Sequence, residues 1–168
     1  MAQVNFPSAA ATLDAASDSL KVHVSRVLRA KRDRVFDAWT KPEQMRQWMG
    51  PVGWQVPELE ADARVGGKYK IVYRGTPAPT EREPNPQERT GACRGEYLEL
   101  TPPELIRYTW VADWAPGEDT VVTIKLSEAE GGTLLELTQE TFKKAEMAAM
   151  HKTGWSGTLG KLAKFVEG

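Results

Sequence analysis

Hydrophobic and polar residues change period several times along the chain, and each change marks an element. Leu20, Val22, Val24 and Leu28 fall on one face with Lys21, His23 and Ser25 opposite, the period-two pattern of a strand. Across residues 31–49 the spacing becomes helical, with Val35, Phe36 and Trp39 at i, i+1 and i+4 and Asp33 placed to cap the first turn. Pro42 lacks an N–H and restricts Lys41, so it opens a second short helix over 42–48 rather than extending the first. Gly50-Pro51 and Gly53 then mark a turn. Residues 54–65 and 67–74 read as strands joined at Gly66-Gly67, with Tyr69, Ile71 and Tyr73 sharing a face in the second. Residues 75–91 hold four prolines and no apolar period, which predicts a loop of unusual length.

Four more strands follow, over 92–100, 105–114, 120–128 and 133–140, the last two split by a hairpin at Gly131-Gly132. In the 105–114 strand Ile106, Tyr108, Trp110, Ala112 and Trp114 alternate with Arg107, Thr109 and Asp113. The last 26 residues form one helix, whose stripe runs through Met147, Met150, Gly154 or Trp155, Thr158 or Leu159, Leu162 and Val166. Residues 1–18 are small, polar and alanine-rich and read as a flexible tail before a single domain over 19–168. Consecutive strands with short turns imply an antiparallel sheet, and segregated helices imply an α+β fold. A sheet of this length curls, and its concave face is the place for the stripe of the last helix.

Composition narrows the function. At 168 residues the chain can bury a core without staples. One cysteine, Cys93, excludes a disulfide framework and a thiolate zinc site. Two histidines, His23 and His151, leave little for a metal centre, and no motif calls for a cofactor. No membrane span or secretory signal is recognisable, so the expected compartment is the cytoplasm. The net charge of -1 is unevenly placed: residues 21–50 are basic, and residues 101–140 carry eight acidic groups against two basic ones. The basic groups form no stripe with aromatic readout, which argues against nucleic-acid binding. The acidic block is a solvated sheet face or a docking face for a partner.

Five segments in order, VFDAWTKPEQMRQWMGP, VGGKYKIVYRG, GEYLELTPPELIRYTW, GGTLLELTQE and HKTGWSGTLGKLAKF, resemble the family named for homology to the activator of the heat shock protein 90 ATPase. That family lies in the START/birch-allergen-like superfamily. The resemblance covers Leu20 to Gly168. It implies a helix-grip fold: a curved antiparallel sheet wrapped on a long C-terminal helix, two short helices at one end, and a cavity between helix and sheet. The 75–91 loop departs from the family's short hairpin and is placed to border the cavity mouth.

No nucleophile elbow, phosphate loop or zinc-protease motif is present. The informative feature is an inward set of tyrosines and tryptophans, Tyr69, Tyr73, Tyr97, Tyr108, Trp110 and Trp155, whose polar handles need partners when buried. They read as the wall of a ligand cavity or as a filled core. Met147 and Met150 suit a pocket of adaptable shape, and Gly154 suggests close approach of sheet backbone or ligand. His151 is a candidate polar anchor. Arg26 interrupts the inward face of the first strand and, if buried, needs a partner, for which Glu99 is the candidate. Trp48 is a lid or a packing plug, and Cys93 is inert.

The leading expectation is binding of a small apolar or aromatic molecule, without catalysis, by a monomer or homodimer. A chaperone-regulating, stress-related interaction module is the alternative. A cyclase or hydratase acting on aromatic polyketide-like substrates through His151, Tyr108 and Arg26 is the third reading.

Overall fold

The computed structural model describes residues 20–168; the expected tail over 1–18 lies outside them. Seven strands and three helices follow one another as β1 (Val22–Leu28), α1 (Arg32–Thr40), α2 (Pro42–Trp48), β2 (Gln55–Ala61), β3 (Lys68–Gly75), β4 (Arg89–Thr101), β5 (Leu105–Ala112), β6 (Asp119–Ala129), β7 (Gly132–Glu140) and α3 (Ala145–Glu167). The strands form one sheet in the order β1-β7-β6-β5-β4-β3-β2, and every pair is antiparallel. β1 and β2 are therefore opposite edges, and the α1–α2 pair must carry the chain between them. It does so across the open end of the curl, with α1 against β6, β7 and α3 and α2 against β2 and α3. This is the helix-grip fold.

Period-two burial places the inner face in register across the sheet. Val22, Leu135, Leu137, Val122, Ile124, Leu126, Ile106, Tyr108, Ile71 and Tyr69 all point inward and are buried. α3 closes that face with Ala148, His151, Trp155, Leu159, Leu162 and Val166, a stripe recurring at three- and four-residue steps. Pro42 occupies the first turn of α2, where its missing N–H leaves no bond unmade.

Local expectations fail at four places. Asp33 lies in the first turn of α1 but makes no cap; Lys31 holds that position without a side-chain bond. The strand expected over 54–65 ends at Ala61, because residues 62–67 turn back and the Gly66 N–H donates to the Tyr97 carbonyl. Trp114 lies beyond the end of β5, so alternation no longer governs it, and it is partly exposed. Met150 sits off the buried stripe of α3 and is 43% exposed.

Candidate functional site

The concave face holds two aromatic neighbourhoods, one crossed by a side-chain hydrogen-bond relay and one without it, and each contains a buried indole N–H that has no partner. The first lies under the middle of α3. Trp155 packs on Trp110 at 5.2 Å between ring centroids and on Trp39 at 5.9 Å. Its indole N–H donates to Gln139 Oε1 at 2.8 Å, and Gln139 Nε2 donates to the Thr120 hydroxyl at 2.8 Å. Thr120 Oγ1 donates onward to the Trp110 carbonyl at 3.2 Å. Gln139 is fully buried, so this chain across α3, β7, β6 and β5 is a satisfied polar network inside the core. Gln139 is the amide of an inward row otherwise made of Thr133, Leu135 and Leu137, a signal legible in the alternation.

His151 flanks this network. Its Nδ1 lies 2.7 Å from the Met147 carbonyl, and Trp114 Nε1 donates to its Nε2 at 3.3 Å. A carbonyl on one nitrogen and an N–H on the other fix the neutral tautomer protonated at Nδ1. Burial lowers the histidine's affinity for a second proton, partly offset by its bond to Met147 and the nearby Glu118 carboxylate. Phe142, Trp110 and Trp114 surround the ring. Both nitrogens of His151 are thus engaged within the protein.

The second neighbourhood lies under α1 and α2. Tyr69, Tyr97 and Tyr108 meet at centroid distances of 5.4 to 6.1 Å, two of the three pairs edge to face. Gly95 makes this possible: a side chain there would strike both the Tyr69 ring and the Thr109 carbonyl. The Tyr69 ring crosses β4 over that gap, and its hydroxyl donates to the Thr109 carbonyl at 2.6 Å. Burial pushes the phenols of Tyr69, Tyr73 and Tyr108 well above the ordinary value and that of Tyr97 to about 12, so all four stay neutral. Burial likewise raises the Cys93 thiol, consistent with an inert cysteine. With Trp39, Met45, Met49 and Ile71, the tyrosine triad encloses a cavity of about 10 Å³. That is room for about one water. The wide cavity expected between helix and sheet is closed here, because Trp39, Trp110 and Trp155 fill the space.

Among the described residues, two buried side-chain polar atoms have no hydrogen-bond partner, Trp39 Nε1 and Trp110 Nε1. Trp39 lines the small cavity, and Trp110 packs behind it on Trp155. Neither Trp39 nor the methionines Met45 and Met49 entered the sequence-based set, though the methionines stand one helical turn apart at i and i+4.

The remaining expected site residues are dispersed. Tyr73 is buried against Trp114 and Gly50, whose φ of +99° and contact with the Tyr73 ring both favour glycine. Trp48 is a plug and not a lid: it is 1% exposed, donates to the Ala38 carbonyl at 3.0 Å and packs edge-on against Trp39. Met147 is partly buried against the core, whereas the exposed Met150 points away from it. Arg26 is exposed, not buried: it lies on the edge strand beside Gly160 of α3. Glu99 is no partner for it, since three strands separate β1 from β4. A bulge after Tyr97 also turns Glu99 outward. Gly154 meets neither sheet nor cavity; Pro51 of the α2–β2 loop is its neighbour.

Lys161, also unforeseen, braces that loop. Its ammonium lies 3.0 Å from the Gly50 carbonyl and 3.4 Å from those of Met49, Pro51 and Trp54. Desolvation lowers its pKa. Beside it an open groove of about 490 Å³ runs along Arg46, Trp54 and Val56.

Five of the eight acidic residues of 101–140 are engaged within the protein. Glu104 and Glu128 both meet Arg32, Asp113 meets Arg94, and Glu140 meets Lys21. Glu118 is buried, accepting the backbone N–H groups of Lys143 and Lys144 ahead of α3.

A curved sheet gripping one long helix, with an aromatic interior and two helices over its open end, defines a START-like domain. The chain belongs to the family described as Activator of Hsp90 ATPase homolog 1-like protein, whose profile matches residues 29–167. It is similar to the crystal structure of protein CV1439 from Chromobacterium violaceum, at 34% identity over 89% of this chain and 98% of that one, with a TM-score of 0.74. The AHSA1 protein from Silicibacter pomeroyi shares the fold at 22% identity, covering 86% and 95% of the two chains, with a TM-score of 0.71. CalU16 from Micromonospora echinospora is similar at 26% identity over 87% of this chain and 75% of that one, with a TM-score of 0.64. Among curated proteins, none matches. No helix of the described residues is long and apolar enough to cross a membrane.

Proposed function

We propose that the protein binds a small apolar, aromatic molecule in the space under α1 and α2, opening the closed cavity as the ligand enters. The observation that carries this reading is the pair of buried indole N–H groups, Trp39 and Trp110, that have no hydrogen-bond partner among the described residues. Such a group costs about 1–3 kcal/mol when left unpaired, and a ligand that pairs it recovers that energy. The wall over the cavity supports the same reading. Met45 and Met49 are unbranched and change rotamer cheaply, one on a helix of only seven residues and the other just past its end. Tyr69, Tyr97 and Tyr108 form the facing wall, and Tyr73, Trp110 and Trp155 flank it.

The engaged state of both His151 nitrogens argues against its use as a general acid or base, so we rank the cyclase or hydratase reading below binding. The chaperone-module reading draws on the family's description, but the acidic groups, most of them engaged within the protein, give it no docking face. The test is a native mass spectrum of freshly purified protein beside its denatured mass, with uptake of a neutral naphthalene dye. An adduct lost on denaturation, or micromolar uptake that fails in Trp39→Ala, is the expected result. An apo mass together with no uptake overturns the proposal and moves the interaction module to the front.

A further inference from the structure

His151 joins α3 to the β5–β6 loop, and the join holds in one protonation state only. Its Nε2 accepts the Trp114 indole N–H at 3.3 Å, while its Nδ1 donates the ring's one proton to the Met147 carbonyl at 2.7 Å. An indole N–H cannot accept, and an imidazolium donates from both nitrogens. A second proton, on Nε2, therefore sets two N–H groups against each other where one hydrogen bond stood. No neighbour takes that new N–H as the structure stands. Phe142, Trp110 and Trp114 present rings to His151. The Glu118 carboxylate, at the end of the loop, favours the charged ring but already accepts the backbone N–H groups of Lys143 and Lys144. The side chains of Lys143 and Lys144, beside Phe142, are exposed, as are those of Glu146 and Lys152 on α3. Asp113, at the head of the loop, meets Arg94. The charged ring needs water or Glu118 at Nε2, and the Trp114 indole occupies that side.

The loop is able to release Trp114 without coming apart. Both of its ends are tied: Asp113 accepts the Ala92 N–H at 2.9 Å, and Glu118 accepts the two N–H groups ahead of α3. Between them Trp114 is 37% exposed. Its ring stands edge-on to Tyr73 at 5.4 Å and lies over Gly91, which has no side chain to trap it. We propose that His151 and Trp114 form a proton-released latch. On mild acidification Nε2 takes a proton from solvent, the Trp114 indole swings out to water, and the Tyr73 and Trp110 rings behind it are uncovered while the ends of the loop hold. The latch is a property of the fold and stands apart from any ligand under α1 and α2.

The full chain, labelled with nitrogen-15 in tryptophan and histidine and titrated from about pH 7.5 to about pH 4.5, reads both partners at once. The Trp114 indole resonance is expected to move with the same midpoint as the His151 ring nitrogens. Trp155 and Trp48, held by Gln139 and the Ala38 carbonyl, should stay in place. Because the indole bond exists only on the neutral ring, it opposes protonation. Trp114→Phe keeps a ring and loses the donor, and is expected to raise the proton affinity of His151 about five- to tenfold, the span of one net hydrogen bond. His151→Gln offers an amide oxygen that accepts the indole N–H and does not titrate, so the Trp114 transition should vanish. Different midpoints for Trp114 and His151, or a Trp114 transition that survives in His151→Gln, overturns the latch. Movement of all the indoles together, the mark of global unfolding, overturns it as well. The midpoints are read on the unaltered protein, so they decide the matter even if a variant does not fold.

Discussion

The two halves of the concave face are built from the same residue types and differ in how far hydrogen bonds tie their side chains together. Under the middle of α3, Trp155, Gln139 and Thr120 hand hydrogen bonds from one element to the next until they reach the β5 backbone. Under α1 and α2, Trp39 and the tyrosine triad face two methionines, and the Trp39 N–H ends on nothing. A satisfied network fixes a single packing, because moving any member strands the others in low dielectric. In the proposed binding function, the wall under α1 and α2, which no such relay crosses, changes shape, and its unserved Trp39 N–H gains when it does. On the proposed reading an aromatic core is tied down at one end and open to a ligand at the other, and composition alone does not distinguish the two.

Substitutions on either side should expose that contrast. Gln139→Leu strands the Trp155 indole N–H and removes the donor to Thr120, and is expected to cost about 3 kcal/mol in urea unfolding with no gain in probe binding. A cost below 1 kcal/mol would show that this half is not locked. Met45→Ala on the other side is expected to cost about 2 kcal/mol, the low end for such truncations, because the surroundings can relax. It should also strengthen uptake of the neutral naphthalene dye by enlarging the cavity. Loss of stability without stronger uptake would place the opening elsewhere.

Smaller effects test the borders. The folded protein holds His151 neutral below its ordinary value of 6.5. The unfolded chain therefore binds the proton first as the pH falls, and stability drops from about pH 6.5 downward until the folded state is also protonated. His151→Phe should flatten that part of a stability-against-pH curve, and an unchanged slope would assign it to other groups. Gly154→Ala is expected to stabilise by about 0.5–1 kcal/mol, since the added methyl meets only Pro51, at 3.8 Å, and helix propensity improves. Destabilisation there would mean that close approach of α3 to the α2–β2 loop is required after all.

Much of this architecture is legible in the chain. Period-two runs locate all seven strands, Pro42 sets the start of α2, and the final stripe identifies the gripping helix. The inward direction of three tyrosines is legible too, because alternation along β3, β4 and β5 turns Tyr69, Tyr97 and Tyr108 the same way. What local pattern cannot carry is which strands become edges. β1 pairs with β7, far away in sequence, and that long-range choice leaves Arg26 at a solvated edge and apart from Glu99. Met150 was drawn into the stripe by its residue type, although its angular position lies off the buried face. Met45 and Met49 carry no local signal, because a seven-residue helix with one of them just past its end is too short to display a period. The polar relay through Gln139 depends on three elements meeting, so sequence could mark Gln139 as an odd inward amide but could not supply its partners.

The receptive half can be watched directly through the indole N–H groups. Protein labelled with nitrogen-15 in tryptophan and titrated with the neutral naphthalene dye reports each indole separately. The Trp39 resonance should move downfield as its N–H gains an acceptor, while Trp155, held by Gln139, and Trp48, held by the Ala38 carbonyl, stay in place. Movement of Trp155 with Trp39 left unchanged, or no movement of any indole at saturating dye, would contradict the account.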